Sequence, residues 1–91
     1  MKNCVDEIRY SKSAQKYIKS CTPSEKEHLR NAIYELRKLP PQGDIKPLQG
    51  YSDGRKRLRV GKVRIIFRYD EDGTLLILSI LDIGNRGDVY K

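Results

Sequence analysis

The spacing of apolar residues changes along the chain, and each change predicts a different element. Over residues 4–10, Cys4, Ile8 and Tyr10 share one side of a period-two pattern that Asp6 interrupts, predicting a short strand. Ala14, Tyr17, Ile18 and Cys21 then recur at the three-and-four spacing of a helical stripe, behind Ser11 as a capping residue. A second helix is predicted to start at Thr22-Pro23-Ser24-Glu25. There the threonine hydroxyl can accept the Glu25 backbone N–H, the proline loses no hydrogen bond in a first turn, and the glutamate reaches back to the cap. Leu29, Ala32, Ile33, Leu36 and Leu39 form its buried stripe, and Pro40-Pro41 stop it at about Leu39. Two helices joined by so short a turn form an antiparallel hairpin.

Gly, Pro, Asp and Ser crowd residues 42–53 around Pro47 and Leu48, so a loop with an edge strand is expected there. From Arg55 onward the period is two. Leu58 and Val60 point one way and Arg57 and Arg59 the other, Gly61-Lys62 makes a two-residue hairpin turn, and Val63, Ile65, Phe67 and Tyr69 resume the apolar face. That turn sets the register: Val60 faces Val63, Arg59 faces Arg64, Leu58 faces Ile65 and Arg57 faces Ile66. Arg57, Arg59, Arg64 and Arg68 then line the face opposite the core. Asp70 to Gly73 make the next turn, and Leu75 to Ile83 is apolar at nearly every position, as a central strand covered on both sides would be. The fold class is therefore α+β: an N-terminal strand, a two-helix antiparallel hairpin, and three or four antiparallel strands in a twisted sheet. Both helices pack on one face and the arginines lie on the other.

At 91 residues the chain is expected to be a single domain spanning 1–91. Its formal net charge is +7. Residues 1–54 carry ten basic and seven acidic side chains, residues 55–68 seven basic and none acidic, and residues 69–91 two basic and five acidic. The middle block thus holds a charge equal to that of the whole chain. Because Leu58, Val60, Val63, Ile65, Ile66 and Phe67 are threaded through it, it is a folded basic surface and not a disordered tail. Polyanions are the partners such a surface favours.

Several classes are set aside. No apolar run approaches the ~20 residues of a membrane helix and the N-terminus lacks an apolar signal segment, so a soluble, cytoplasmic protein without a membrane partner is expected. Cys4, Cys21 and the single His28 make neither a disulfide framework nor a metal site. Both cysteines are expected to be reduced and half-buried, and no metal or cofactor is expected.

The arginine face has two readings. A solvated strand face is one, since charged residues belong on the outer side of a half-buried hairpin. A solvated face mixes signs, however, and positives without negatives suit phosphate, which arginine grips through paired hydrogen bonds. Arg59 beside Arg64 carries a cost of like charges that an anion or a nearby acid would offset. With tyrosines added, such a face can bind single-stranded nucleic acid, the rings stacking bases while guanidiniums neutralise phosphates. Tyr51 and Tyr90 lie outside the apparent core stripes. Tyr51 reads equally well as a partly buried tyrosine with a wet hydroxyl, whereas Val89 packing back would hold Tyr90, with Arg86, over the open face.

Leu48-Gln-Gly50, Arg57-Leu-Arg-Val-Gly-Lys-Val-Arg-Ile-Ile-Phe67 and Asn85-Arg86-Gly-Asp-Val-Tyr90 resemble the RelE/ParE superfamily of bacterial type II toxin-antitoxin toxins, over essentially the whole chain. For the RelE-like branch the resemblance implies ribosome-dependent cleavage of messenger RNA in the ribosomal A site, leaving a 2′,3′-cyclic phosphate. The ribose 2′-hydroxyl attacks the adjacent phosphorus, so a site must remove a proton, stabilise negative charge on the phosphate and stabilise the leaving 5′-oxygen.

Arg64 matches the family's arginine on the strand after the hairpin, and Arg86 and Tyr90 match its C-terminal arginine and tyrosine. Arg55 and Arg57 fall where the best-studied branch has two lysines. Arginine stays protonated, so Lys56 and Tyr90 are the titratable candidates, and a shift of one position would put Lys56 in a lysine's place. The expected catalytic group is Arg64, Arg86, Tyr90 and Lys56, with Arg55, Arg57, Arg59 and Arg68 binding RNA. The position of His28 in the second helix argues against the histidine-using branch. Implied partners are the ribosome and mRNA, and a cognate antitoxin in a hetero-oligomer. The alternatives are a ParE-like inhibitor of DNA gyrase and an inert nucleic-acid-binding relative.

Overall fold

The computed structural model describes residues 3–85. Strand β1 (Glu7–Tyr10) leads into helices α1 (Lys12–Ser20) and α2 (Pro23–Arg37), followed by β2 (Asp44–Pro47), β3 (Lys56–Val60), β4 (Val63–Asp72) and β5 (Leu75–Asn85). The five strands form one sheet in the order β1-β5-β4-β3-β2. β1 runs parallel to β5 and the other neighbours are antiparallel. The architecture is the α+β arrangement expected.

Local chemistry explains the helix starts. Ser11 accepts the Ala14 N–H at 3.1 Å, and its hydroxyl donates to the Leu81 carbonyl at 2.7 Å, so one side chain both caps α1 and ties it to β5. Thr22 and Glu25 form the reciprocal capping box, with bonds of 3.2 and 2.8 Å. α2 stops at Arg37, two residues short of Leu39, because Lys38 is extended (φ −74°, ψ 147°) and bridges to Cys4. The Val5 N–H donates to the Arg37 carbonyl at 2.9 Å and the Leu39 N–H to Asn3 at 3.0 Å, which fastens the N-terminal segment to the helix end. This fastening corrects the expected strand face: Val5, not Cys4, enters the core, and Cys4 is exposed while Cys21 is half-buried.

The core lies between the helix hairpin and one face of the sheet. Ile33 and Leu36 of α2 meet Ile65 and Phe67 of β4 and Leu78 and Ile80 of β5, all of them inaccessible or nearly so. Each such side chain contributes about 1.5–3 kcal/mol by leaving water. Phe67 packs edge-on against Tyr69 at 5.7 Å, and the Tyr69 hydroxyl donates to the Leu36 carbonyl at 2.7 Å, satisfying a helix end.

The hairpin register is as the turn dictates: Val60 opposite Val63, Arg59 opposite Arg64, Leu58 opposite Ile65, Arg57 opposite Ile66. Gly61 turns the chain at φ 59°, where a side chain is disfavoured. Between β4 and β5 the register slips: Ile66 faces Asp82 but Phe67 faces Ile80, leaving Leu81 as the extra residue of a bulge. The bulge lets Ile80 and Ile83 both reach the core although three positions apart, and it carries the Leu81 carbonyl that Ser11 holds. On the face away from the helices Ile77 is 2% exposed but Leu75 is 42% exposed and Leu81 and Asp82 are half-buried, so β5 is fully covered on the helix side and only in part on the other.

Candidate nucleic-acid interface

Cross-strand pairing on the face away from the helices sets polar residues in rows. One row runs Asp44, Arg59, Arg64, Gly84 across β2, β3, β4 and β5, and the next runs Lys46, Arg57, Ile66, Asp82. Arg57 and Arg64 are buried, at 7% and 8% exposure, which is unusual for guanidiniums. The second row floors a groove of about 740 Å³. One side of it is the loop after β2, with Leu48, Tyr51 and Arg55, and the other is the start of α1 at Ser13.

The pattern of partners differs sharply along this face. Arg59 Nε donates to Asp44 Oδ2 at 2.9 Å. Arg55 and Arg68 share Asp53, whose Oδ2 receives Arg55 Nη2 at 2.8 Å and Arg68 Nη1 at 2.7 Å. Arg68 Nε also donates to Asp70 at 3.1 Å, and Asp70 accepts the Ser79 hydroxyl at 2.7 Å. These contacts hold all three carboxyls below the usual carboxylate range, through Arg59 at Asp44, chiefly through Arg55 at Asp53, and through Ser79 and then Arg68 at Asp70. The block of positives without negatives is thus neutralised in part by acids from β2, from the following loop and from the end of β4. The offset foreseen for the Arg59 and Arg64 pair comes from Asp44.

Arg57 is the contrast. Asp44 approaches Arg57 Nη2 only to 4.0 Å, and the buried Nη1 has no hydrogen-bond partner among the described residues. A buried guanidinium in that condition is costly unless an anion completes it. At the rim, the Arg55 guanidinium lies 4.0 Å from the centre of the Tyr51 ring, and Tyr51 is 53% exposed, so the ring is covered in part by Arg55 and otherwise open to solvent.

Of the residues singled out from sequence, the fold brings Arg55, Arg57, Arg59, Arg64 and Arg68 to one side of the sheet. Arg86 and Tyr90 lie outside the described residues. Lys56 does not join the group. It pairs with Phe67 on the helix-packed side, with its ammonium 6.0 Å from the Tyr69 ring centre, so its amine is separated by the sheet from Arg57 and Arg64. Its parity with Leu58 carries that placement in the sequence. Lys46 and Asp82 are groove residues that no pattern singled out, because the pairing of β2 and the bulge in β5 decide which way they face.

Helices thus pack on one face of a five-stranded sheet and a cationic groove lies on the other. The fold is similar to the RelE-RelB complex from Pyrococcus horikoshii OT3 (22% identity, 89% of this chain and 94% of that one, TM-score 0.68). It is equally similar to the toxin-antitoxin complex RelBE2 from Mycobacterium tuberculosis (21%, 90% and 99%, TM-score 0.69). The RelB-RelE complex from Methanococcus jannaschii is also alike (24%, 90% and 94%, TM-score 0.65). No curated protein matches the chain. Residues 8–90 match the family described as the ParE toxin of type II toxin-antitoxin system, parDE. The chain belongs to this family, and so to the RelE/ParE superfamily of type II toxins.

Proposed function

We propose that the chain is a ribosome-dependent mRNA interferase, an endoribonuclease that cuts messenger RNA in the ribosomal A site and so stops translation. The observation that carries this reading is Arg57: buried on the groove floor, with Nη1 lacking a hydrogen-bond partner among the described residues, it is a preformed seat for a phosphate. Arg64, in the adjacent row, stabilises the charge that builds on the phosphate as the 2′-hydroxyl attacks. Arg86 and Tyr90 complete the site, on the strength of their match to the superfamily pattern. Arg55 and Tyr51 hold a base at the rim, while Arg59 and Arg68, already held by acids, contribute only weakly to RNA binding. Lys56 takes no part in the step, because its amine is on the other side of the sheet.

The partners of this reading are the ribosome, mRNA and a cognate antitoxin, and the place is the cytoplasm, where ribosomes are. The neighbours of known structure are toxin-antitoxin complexes, which supports a hetero-oligomer here. Purified protein added to ribosomes on a defined mRNA should cut between the second and third bases of the A-site codon or nearby, mapped by primer extension. Arg64→Ala or Tyr90→Phe should slow this at least ~10²-fold, and undiminished cleavage by both would overturn the site. A second reading, inhibition of DNA gyrase, is favoured by the match to the ParE family. Loss of gyrase supercoiling without RNA cleavage would select it.

A further inference from the structure

Asp82 takes no part in the phosphate chemistry above, yet it stands in the groove. It is the β5 member of the row Lys46, Arg57, Ile66, Asp82. Directly opposed residues of antiparallel strands are roughly 4.5–5.5 Å apart, so the backbones of Arg57 and Asp82 are roughly 10 Å apart with Ile66 between them. The row therefore reads cation, buried cation, apolar floor, anion. Such a groove is polar along its length: a phosphate is drawn to Lys46 and Arg57 and repelled from Asp82.

The carboxylate is held at one oxygen only. Asp82 Oδ1 accepts the Ser13 hydroxyl at 3.1 Å and the Ile83 N–H at 3.0 Å, whereas Oδ2 receives no hydrogen bond from the described residues. An ionised carboxylate can only accept, so Oδ2 suits a ligand group that donates. A ribonucleotide fits these features, with its phosphate at the cationic end, its sugar over Ile66 and Leu81 and its 2′-hydroxyl as the donor. Its deoxy counterpart lacks the donor.

We propose that Asp82 is a catalytic residue of the groove, whose Oδ2 accepts the hydrogen bond of a ribose 2′-hydroxyl when the adjoining phosphate is on Arg57. This rests on the interferase reading and supplies the proton acceptor that arginines cannot. In the cleavage step the 2′-hydroxyl proton passes to Asp82 Oδ2, the O2′–P bond forms and the P–O5′ bond breaks. Water then protonates the departing 5′-oxygen. The cations Lys46, Arg55 and Arg57 line the same groove and keep it net positive despite Asp82.

Binding and cleavage test the two roles separately. A fluorescent single-stranded decaribonucleotide and the same oligonucleotide without 2′-hydroxyls are titrated at one fixed salt concentration. Wild type should prefer the ribonucleotide by roughly tenfold, the worth of one hydrogen bond to a charged acceptor. Asp82→Ala should abolish the preference, and Arg57→Ala should weaken both ligands alike. In Asp82→Asn the Ser13 hydroxyl and the Ile83 N–H hold the amide oxygen in the Oδ1 position, so an NH₂ group that cannot take up a proton faces the ligand, and cleavage on ribosomes should be lost. Asp82→Val, shaped for a strand, gives the same binding readout if the alanine variant melts early. Equal preference in wild type and Asp82→Ala, or none in wild type, overturns the assignment. Cleavage by Asp82→Asn at the wild-type rate overturns the proton transfer. If wild type never cuts mRNA while the preference and its loss in Asp82→Ala persist, the interferase reading fails and hydroxyl recognition stands.

Discussion

The two faces of the sheet solve different problems with the same strands. On the helix side, Ile65, Phe67, Leu78 and Ile80 meet Ile33 and Leu36, and the Tyr69 hydroxyl, which reaches in, finds the Leu36 carbonyl. On the other side, Arg55, Arg59 and Arg68 are matched by Asp53, Asp44 and Asp70, while Arg57 is buried without a comparable match. Formal charge is therefore a poor guide to where an anion binds. What counts is the cation that the fold has stripped of water and not repaid.

Breaking the helix side should have the largest effect. Phe67→Ala removes a side chain with no accessible surface and should cost about 3–5 kcal/mol in urea unfolding. The open face should respond in the opposite sense. Arg57→Met replaces a buried, weakly paired cation by an apolar chain, so it should raise stability by about 1 kcal/mol or more while weakening RNA binding at least ~10-fold. Arg68→Met, which removes a cation already paired with Asp53 and Asp70, should leave RNA binding within about threefold. Equal losses of binding in the two variants would erase the distinction between closely and weakly paired arginines.

The smallest effect is at Tyr69. Removing its hydroxyl in Tyr69→Phe should cost about 1 kcal/mol near neutral pH, since the Leu36 carbonyl loses its donor. Burial pushes the Tyr69 hydroxyl from 10.0 up to about 12. A group raised in the folded state stabilises below its ordinary value and loses that contribution as pH rises through the folded one. The stability gap between wild type and Tyr69→Phe should therefore narrow between pH 10 and 12, followed by thermal melts. A gap that stays constant would show that the hydroxyl titrates as freely in the folded protein as in the unfolded one.

Much of the helix side was legible because local rules and the fold agree there. The Thr22 and Glu25 box, the Leu29, Ile33, Leu36 stripe and the register across Gly61-Lys62 each follow from spacing alone. The end of α2 was less so, because a segment distant in sequence, Asn3 to Val5, takes up the chain at Lys38. The run Leu75 to Ile83 announced a covered strand but hid its bulge, since an unbroken apolar run has no alternation to show a slip. Lys56 lies on the helix side because it shares parity with Leu58, whereas likeness to a family lysine carries no information about which face a residue takes.

Pattern along the chain thus decided what is periodic: which residues are helical or extended, which face turns inward, and how the β3-β4 hairpin is matched. Those properties depend on neighbours a few residues away, where backbone geometry allows few choices. Tertiary structure alone decided which acids meet which arginines, that Lys46 and Asp82 end the same row as Arg57, and that Arg57 is buried. Asp44 and Arg59 are brought together only by the pairing of β2 with β3, and Asp82 faces the groove only because β5 slips by one residue at Leu81. Interactions between distant segments depend on pairing and burial, and a linear pattern of charge carries neither.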